Sequence, residues 1–203
     1  MGGWRRAVLM ALTVALFLPS TATSLPSGVG KEANDGCMCH TYSESTVVTL
    51  SGLPEAYESN TTYNLTLTVS GKVDAVEGRP HGGFRLLATN GTVVFNTTLM
   101  QSLEGGVTHT EAGSGQRSWD LAWTSPEDNA SRTTFTVHGN AVNGNQANTG
   151  DEWSTFETVL PGVEHVGDLA LEEGIDGVTN TDRFLLVAGL VVLGVLLWYS
   201  VRP

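Results

Sequence analysis

Between residues 46 and 160 apolar and polar side chains alternate with a period of two, and no convincing 3.6-residue period interrupts them. Val48 and Leu50 alternate with Val47, Thr49 and Ser51. Tyr63, Leu65, Leu67 and Val69 alternate with Asn64, Thr66 and Thr68, the pattern of a half-buried strand. The same rhythm returns at Phe84, Leu86 and Ala88, at Trp119, Leu121 and Trp123, at Phe135 and Val137, and from Trp153 to Val159. Asn90-Gly91, followed by Val93 to Phe95, is a tight-turn dipeptide and predicts a hairpin. Seven to nine short strands joined by Gly, Asn and Pro predict an all-β, Ig-like two-sheet β-sandwich over 46–160, with Trp119 and Trp123 facing its core.

Two apolar runs flank this body. Residues 1–24 have the plan of a signal peptide: Arg5 and Arg6, an apolar run from Ala7 to Leu18 too short to span a bilayer, then Pro19 and small residues. An uncleaved N-terminal anchor is the competing reading. Phe184 to Val201 carries no charge and ends in Trp198-Tyr199, as a transmembrane helix over 184–201 would. Arg202 in the two-residue tail, 202–203, then places the C-terminus in the cytoplasm and the body outside the cell membrane. A tail exchanged for lipid is the alternative, without a recognisable sorting tripeptide to support it. Residues 161–183, acidic and weakly apolar, read as a stalk.

Charge narrows the partners. Residues 25–182 hold six Lys and Arg against all 21 Asp and Glu of the chain, about −15 before histidine. That excludes nucleic acid and disfavours anionic lipid surfaces, and it suits solubility in a salty medium. Five sequons fall in the same stretch, at Asn60, Asn64, Asn90, Asn96 and Asn129, each a candidate for a glycan.

The chemistry concentrates in Cys37-Met38-Cys39-His40, which contains both cysteines of the chain. It lies in a Gly-rich lead-in, residues 25–45, whose first part lacks periodicity and reads as flexible. The spacing is one residue short of the haem-attachment pattern C-x-x-C-H. Three chemistries fit. A c-type haem could be held by thioethers from Cys39 and Cys37 with His40 on the iron. A Cu(I) ion could be held by thiolate, thioether and imidazole. A Cys37–Cys39 disulfide would close a small, strained ring. Lipid attachment at these cysteines lacks an apolar lipobox. A haem would also invite a second axial ligand, for which His109 and His81 are the leading candidates, ahead of His138, His165, Met38 and Met100.

Other groups have bland readings. Asn140, Asn143, Asn145, Asn148 and Asp151 could offer oxygens to Ca²⁺, but turn formation explains them more simply. Trp119, Trp123 and Trp153 read as core or rim aromatics before they read as a sugar platform. No nucleophile elbow, phosphate loop or paired carboxylates point to a catalyst.

The chain resembles the reeler-related, choice-of-anchor V type of secreted module. The resemblance runs over about residues 30–160, on Gly36-Cys37 with Cys39-His40, on Tyr63 and the strand after it, on His81-Gly82-Gly83-Phe84 and on His109-Thr110. It continues through Trp119, Trp123-Thr124-Ser125-Pro126, Gly139-Asn140-Ala141-Val142-Asn143-Gly144 and Gly150-Asp151. It implies a surface protein with one β-sandwich, a variable C-terminal anchor and a redox or haem-bearing N-terminal segment. The shortened cysteine spacing departs from that family and puts double thioether attachment in question. The expectation is therefore a membrane-anchored electron-transfer or binding protein with a redox partner. A non-redox adhesion module or a Cu(I)-binding surface protein is the alternative.

Overall fold

The computed structural model describes residues 25–37, 39–171 and 180–201. The signal peptide expected at 1–24, Met38, part of the stalk and the 202–203 tail lie outside these. The chain divides after Gly167 into two compact units.

The first unit is a two-sheet β-sandwich. Its strands are β1 (Thr41–Tyr42), β2 (Val47–Ser51), β3 (Thr62–Ser70), β4 (Gly82–Ala88), β5 (Thr92–Phe95), β6 (Met100–Leu103), β7 (Gly106–His109), β8 (Ser118–Thr124), β9 (Arg132–Ala141) and β10 (Glu152–Pro161). One sheet has six strands in the order β1-β10-β9-β4-β7-β6, the other four in the order β2-β3-β8-β5. Alternation explains the core. Leu65, Leu67 and Val69 of β3, Leu121 of β8 and Val48 and Leu50 of β2 point inward against Phe84, Leu86, Phe135 and Val137 of the facing sheet. Trp119 and Trp123 are buried as expected, at 1% and 0% exposure. The Trp123 ring meets Tyr57 at 5.5 Å and Phe135 at 5.1 Å, both edge-on, contacts worth about 1 kcal/mol each beyond area burial.

Three expectations change. The Asn90-Gly91 turn forms, but β4 and β5 lie in different sheets, so it is a crossover and not a hairpin. Gly91 has φ +78°, and a Cβ there would come within 2.4 Å of Trp123 Nε1. The tight hairpin is instead β6–β7, turned by Glu104 (φ 44°) and Gly105 (φ 81°). Two left-handed residues in succession make the turn that matches strand twist. Second, the stalk begins later than 161: Tyr57 pairs with Gly162, and Val163 N–H donates to the Tyr57 carbonyl.

The third change positions the site. In β4, Gly82 to Leu86 are all buried, and in β9 so are Val137 to Ala141. A sheet with one covered face would alternate, so a second layer must lie on the outside. That layer is the lead-in, which crosses the outer face of the six-stranded sheet. Gly36 packs on Trp153 of β10. The Asn34 carbonyl meets His138 Nε2 of β9 at 2.8 Å. Asn34 Oδ1 accepts from Arg85 Nε of β4 at 2.9 Å. Val29 N–H donates to Thr108 Oγ1 of β7 at 3.2 Å. Arg85, 0% exposed, also donates to the carbonyls of Leu103, Glu104 and Val29. The segment expected to be flexible is thus tied down by backbone groups meeting polar side chains far away in sequence.

The second unit contains α1 (Asn180–Val201), 22 residues long. Among the described residues no helix is long and apolar enough to cross a membrane. Side chains of α1 are described for 184–199, so the span expected over 184–201 stays a sequence reading.

Candidate functional site

Cys39 lies in a turn, and His40 N–H donates to the Cys37 carbonyl at 3.0 Å. The turn is clamped from outside. Asn148 Nδ2 donates to the Cys39 carbonyl at 2.8 Å, and Trp153 Nε1 to the His40 carbonyl at 3.1 Å. Immediately after it, β1 runs parallel to the start of β10. The motif is therefore docked on the sandwich.

Between the lead-in and the sheet lies a cavity of about 320 Å³, the lower end of the usual range for small-molecule sites. Its walls are largely apolar, from Leu25, Pro26, Val29, Phe84 and Val142. Its polar lining comes from Glu32, Cys37, Cys39, His40, His109, Ser114 and Asn140. His109, at the end of β7, thus lines the same cavity as Cys37, Cys39 and His40. His81 is not brought there. Its Nε2 meets the Val76 carbonyl at 3.0 Å, and it lines a neighbouring, more open cavity of about 790 Å³ with Arg79, Glu111 and Gln146.

The two thiols differ. Both are free in the structure, Cys37 half-buried as a residue and Cys39 exposed. Burial, with Cys39 nearby, pushes the Cys37 thiol up to about 12, so it stays protonated and is a poor nucleophile and metal ligand.

The two histidines differ as well. His40 Nδ1 lies 3.3 Å from Asp151 Oδ2. Nδ1 makes no well-aligned hydrogen bond, so the pair is electrostatic. Burial pulls the His40 pKa down and Asp151 opposes this. Asp151 is 3% exposed, its carboxyl pushed up by burial and held back by the Asn143 N–H, His40 and Arg117. A carboxylate at Nδ1 favours the proton there and leaves the Nε2 lone pair for an outside partner. His109 has the opposite arrangement. Phe84 N–H donates to its Nδ1 at 3.1 Å, so the neutral ring carries its proton on Nε2 and offers a donor. Burial holds it neutral, opposed by the Phe84 and Leu25 backbone. Gly83 makes room for this ring: a Cβ there would lie 2.6 Å from His109 Cε1.

His138 and His165 serve structure, the first bonded to Asn34 and Thr155, the second to the Ala130 carbonyl. Met100 is in the core. The carboxamide loop satisfies itself: Asn143 Oδ1 and Asn145 Oδ1 accept N–H groups of Asn145 and Ala147, and both side-chain amides donate to the Thr149 carbonyl. Among the described residues no group of three His, Cys, Asp or Glu side chains is placed to hold a metal ion. Sequence reasoning missed Asp151 as the partner of His40 and Arg85 as the anchor of the lead-in. Asp151 was visible only as an oxygen donor of the carboxamide loop and in the Gly150-Asp151 pair of the resemblance.

No family model and no curated protein matches the chain. Among solved structures it is similar to the reeler domain of human F-spondin, at 15% identity and TM-score 0.37 over 60% of this chain and 91% of that one. Another crystal structure of the Reelin-N domain of F-spondin gives 17% identity and TM-score 0.35, over 58% and 86%. A conjugative transposon lipoprotein from Bacteroides eggerthii gives 11% and 0.35, over 57% and 97%. The reeler name thus recurs among the structural neighbours, but at TM-scores below 0.5 the likeness carries no argument, and the fold rests on its own sheets and core.

Proposed function

We propose that this chain is a membrane-tethered, extracytoplasmic electron-transfer module in which Cys39 and His40 hold one covalently attached haem at the mouth of the cavity. The observation that carries this reading is the pairing of His40 with Asp151 beside an exposed Cys39, on the wall of a largely apolar cavity. Such pairing fits an axial imidazole, whose other nitrogen is backed by an acceptor. The residues fit a single thioether, through Cys39, because Cys39 is exposed whereas Cys37 is half-buried, its thiol pushed up by burial. Haem would supply a one-electron couple. Leu25, Val29, Phe84 and Val142 would exclude water from its edge, and His109, with Nδ1 taken up by the Phe84 N–H, would line the cavity without ligating the bound group. The tether reading draws on the sequence alone, on the uncharged run from Phe184 to Val201.

The test is mass analysis and haem staining of the denatured full chain from a host with haem-attachment machinery. One haem-sized gain that disappears in Cys39→Ser and persists in Cys37→Ser is the expected result. No gain in either variant or parent would sink the reading. A loss of two hydrogens would favour the disulfide-bearing adhesion module, and copper retained after anaerobic purification would favour the Cu(I) protein.

A further inference from the structure

The five sequons are not scattered over the sandwich. The end that holds the cavity is defined by the first residues of β4 and β10 and the last of β9, with the register Gly82–Ala141–Glu152. The opposite end is defined by the row Thr62–Thr124–Thr92 in one sheet and by Arg132–Pro161 in the other. Asn60, Asn90 and Asn129 sit in the connections of that opposite end, and Asn64 faces outward two rows in, level with Ala122 and Val94. Asn96 follows β5 at mid-height. None lies at the cavity end, and the chain leaves the sandwich from the sequon end, where β10 stops.

Their side chains differ in availability. Asn60, Asn64 and Asn96 are exposed. Asn96 Oδ1 accepts the Thr98 N–H at 2.9 Å, an Asx turn that leaves its Nδ2 outward. Asn90 is exposed, but its Nδ2 is committed to the Arg132 carbonyl at 2.8 Å. Asn129 is half-buried, with Oδ1 accepting the Ser59 N–H and its own carbonyl accepting the Glu164 N–H. Ser131, which completes that sequon, is tied to the Tyr57 hydroxyl at 2.7 Å.

We infer that the folded chain carries N-linked oligosaccharide on Asn60, Asn64 and Asn96 and not on Asn90 or Asn129. The coat lies over the four-stranded sheet and the sequon end, so the cavity is left as the bare end. Transfer forms a bond between the asparagine Nδ2 and the anomeric carbon of the sugar. It breaks that carbon's bond to a lipid-diphosphate donor and releases the lipid diphosphate with one amide proton. The three exposed side chains can give up an Nδ2 proton without losing a structural hydrogen bond, whereas Asn90 would surrender its Nδ2 bond to Arg132 and Asn129 is half-buried, with little room for a sugar.

The experiment secretes the full chain from a host with lipid-diphosphate N-glycosylation and without haem-attachment machinery, so its outcome is independent of the haem reading. Peptide mapping by mass spectrometry should find sugar on most copies of Asn60, Asn64 and Asn96. Each of Asn60→Gln, Asn64→Gln and Asn96→Gln should remove one glycan from the intact mass. Absence of sugar at these three sites overturns the inference. So does occupancy of Asn90 or Asn129 equal to theirs, which would mean that transfer precedes folding and ignores this geometry.

Discussion

The two ends of the sandwich are built on different terms. At the sequon end Tyr57, Trp123 and Phe135 interlock at 0% exposure, with the Tyr57 hydroxyl on Ser131 and Trp123 Nε1 donating to the Asn90 carbonyl. At the cavity end the lead-in stands off the outer face of the six-stranded sheet, around the His40 and His109 imidazoles, the Cys37 thiol and an Asn140 Oδ1 that has no hydrogen-bond partner among the described residues, with the buried carboxyl of Asp151 beside His40. The first arrangement holds the fold, and the second keeps reactive groups at the surface of a rigid scaffold. Stability and chemistry are thus separable along the strand direction, and each end can be damaged without the other.

The largest effect should come from Trp123→Ala. It deletes the centre of the aromatic cluster and should cost about 3–5 kcal/mol, read from urea unfolding of the whole sandwich. Arg85→Met should cost about 2–3 kcal/mol, but locally: four acceptors lose their donor and the lead-in undocks. With a thiol at about 12, Cys37 is thiolate in roughly one molecule in ten thousand at pH 8. Iodoacetamide should therefore spare it in the parent and label it in Arg85→Met. Should Arg85→Met instead lower the urea midpoint as far as Trp123→Ala, with Cys37 still protected, the separation of the two ends fails. Gly83→Ala is a smaller blow, about 1–3 kcal/mol, because the new methyl drives into the His109 ring. It should displace the His109 resonances in an NMR spectrum and leave those of Trp123 in place.

How much of this the sequence revealed follows the range of the interactions. Period-two alternation is local, so the main strands, the two-sheet sandwich and the inward Trp119 and Trp123 were legible. Strand partnership is not local, and Asn90-Gly91 looks the same whether its strands pair or part. Glu104-Gly105 escaped notice because Glu is an unusual residue for a left-handed turn. The Cys37, Cys39 and His40 group announced itself by residue type, as did His109. Asp151 and Arg85 did not, since what matters is their partners, which are more than a hundred and about fifty residues away. The lead-in misled for the same reason: its composition is that of a free segment, and its order comes from hydrogen bonds to a sheet that composition does not describe.

The finest test of the comparison is pH. His40 and His109 both have pKa values pulled below the ordinary range, first by burial, with Asp151 opposing at His40 and the Phe84 and Leu25 backbone opposing at His109. The unfolded chain binds these protons near pH 6.5, and the folded chain resists them to lower pH. Their contribution to stability is therefore fully present above about pH 6.5 and is lost as pH falls from there through the folded values. Asp151 works the other way. Its carboxyl is raised by burial, so its contribution is present at the acid end and fades as pH rises through the raised value. Between pH 7.5 and 5.5 the histidines should prevail, and the urea midpoint should drop. His109→Asn keeps an acceptor for the Phe84 N–H and removes one titrating group, so the drop should shrink by less than the whole Gly83→Ala shift. A midpoint that does not move with pH in the parent, or a variant that falls as steeply as the parent, would show that the cavity end exerts no hold on the protonation of its histidines.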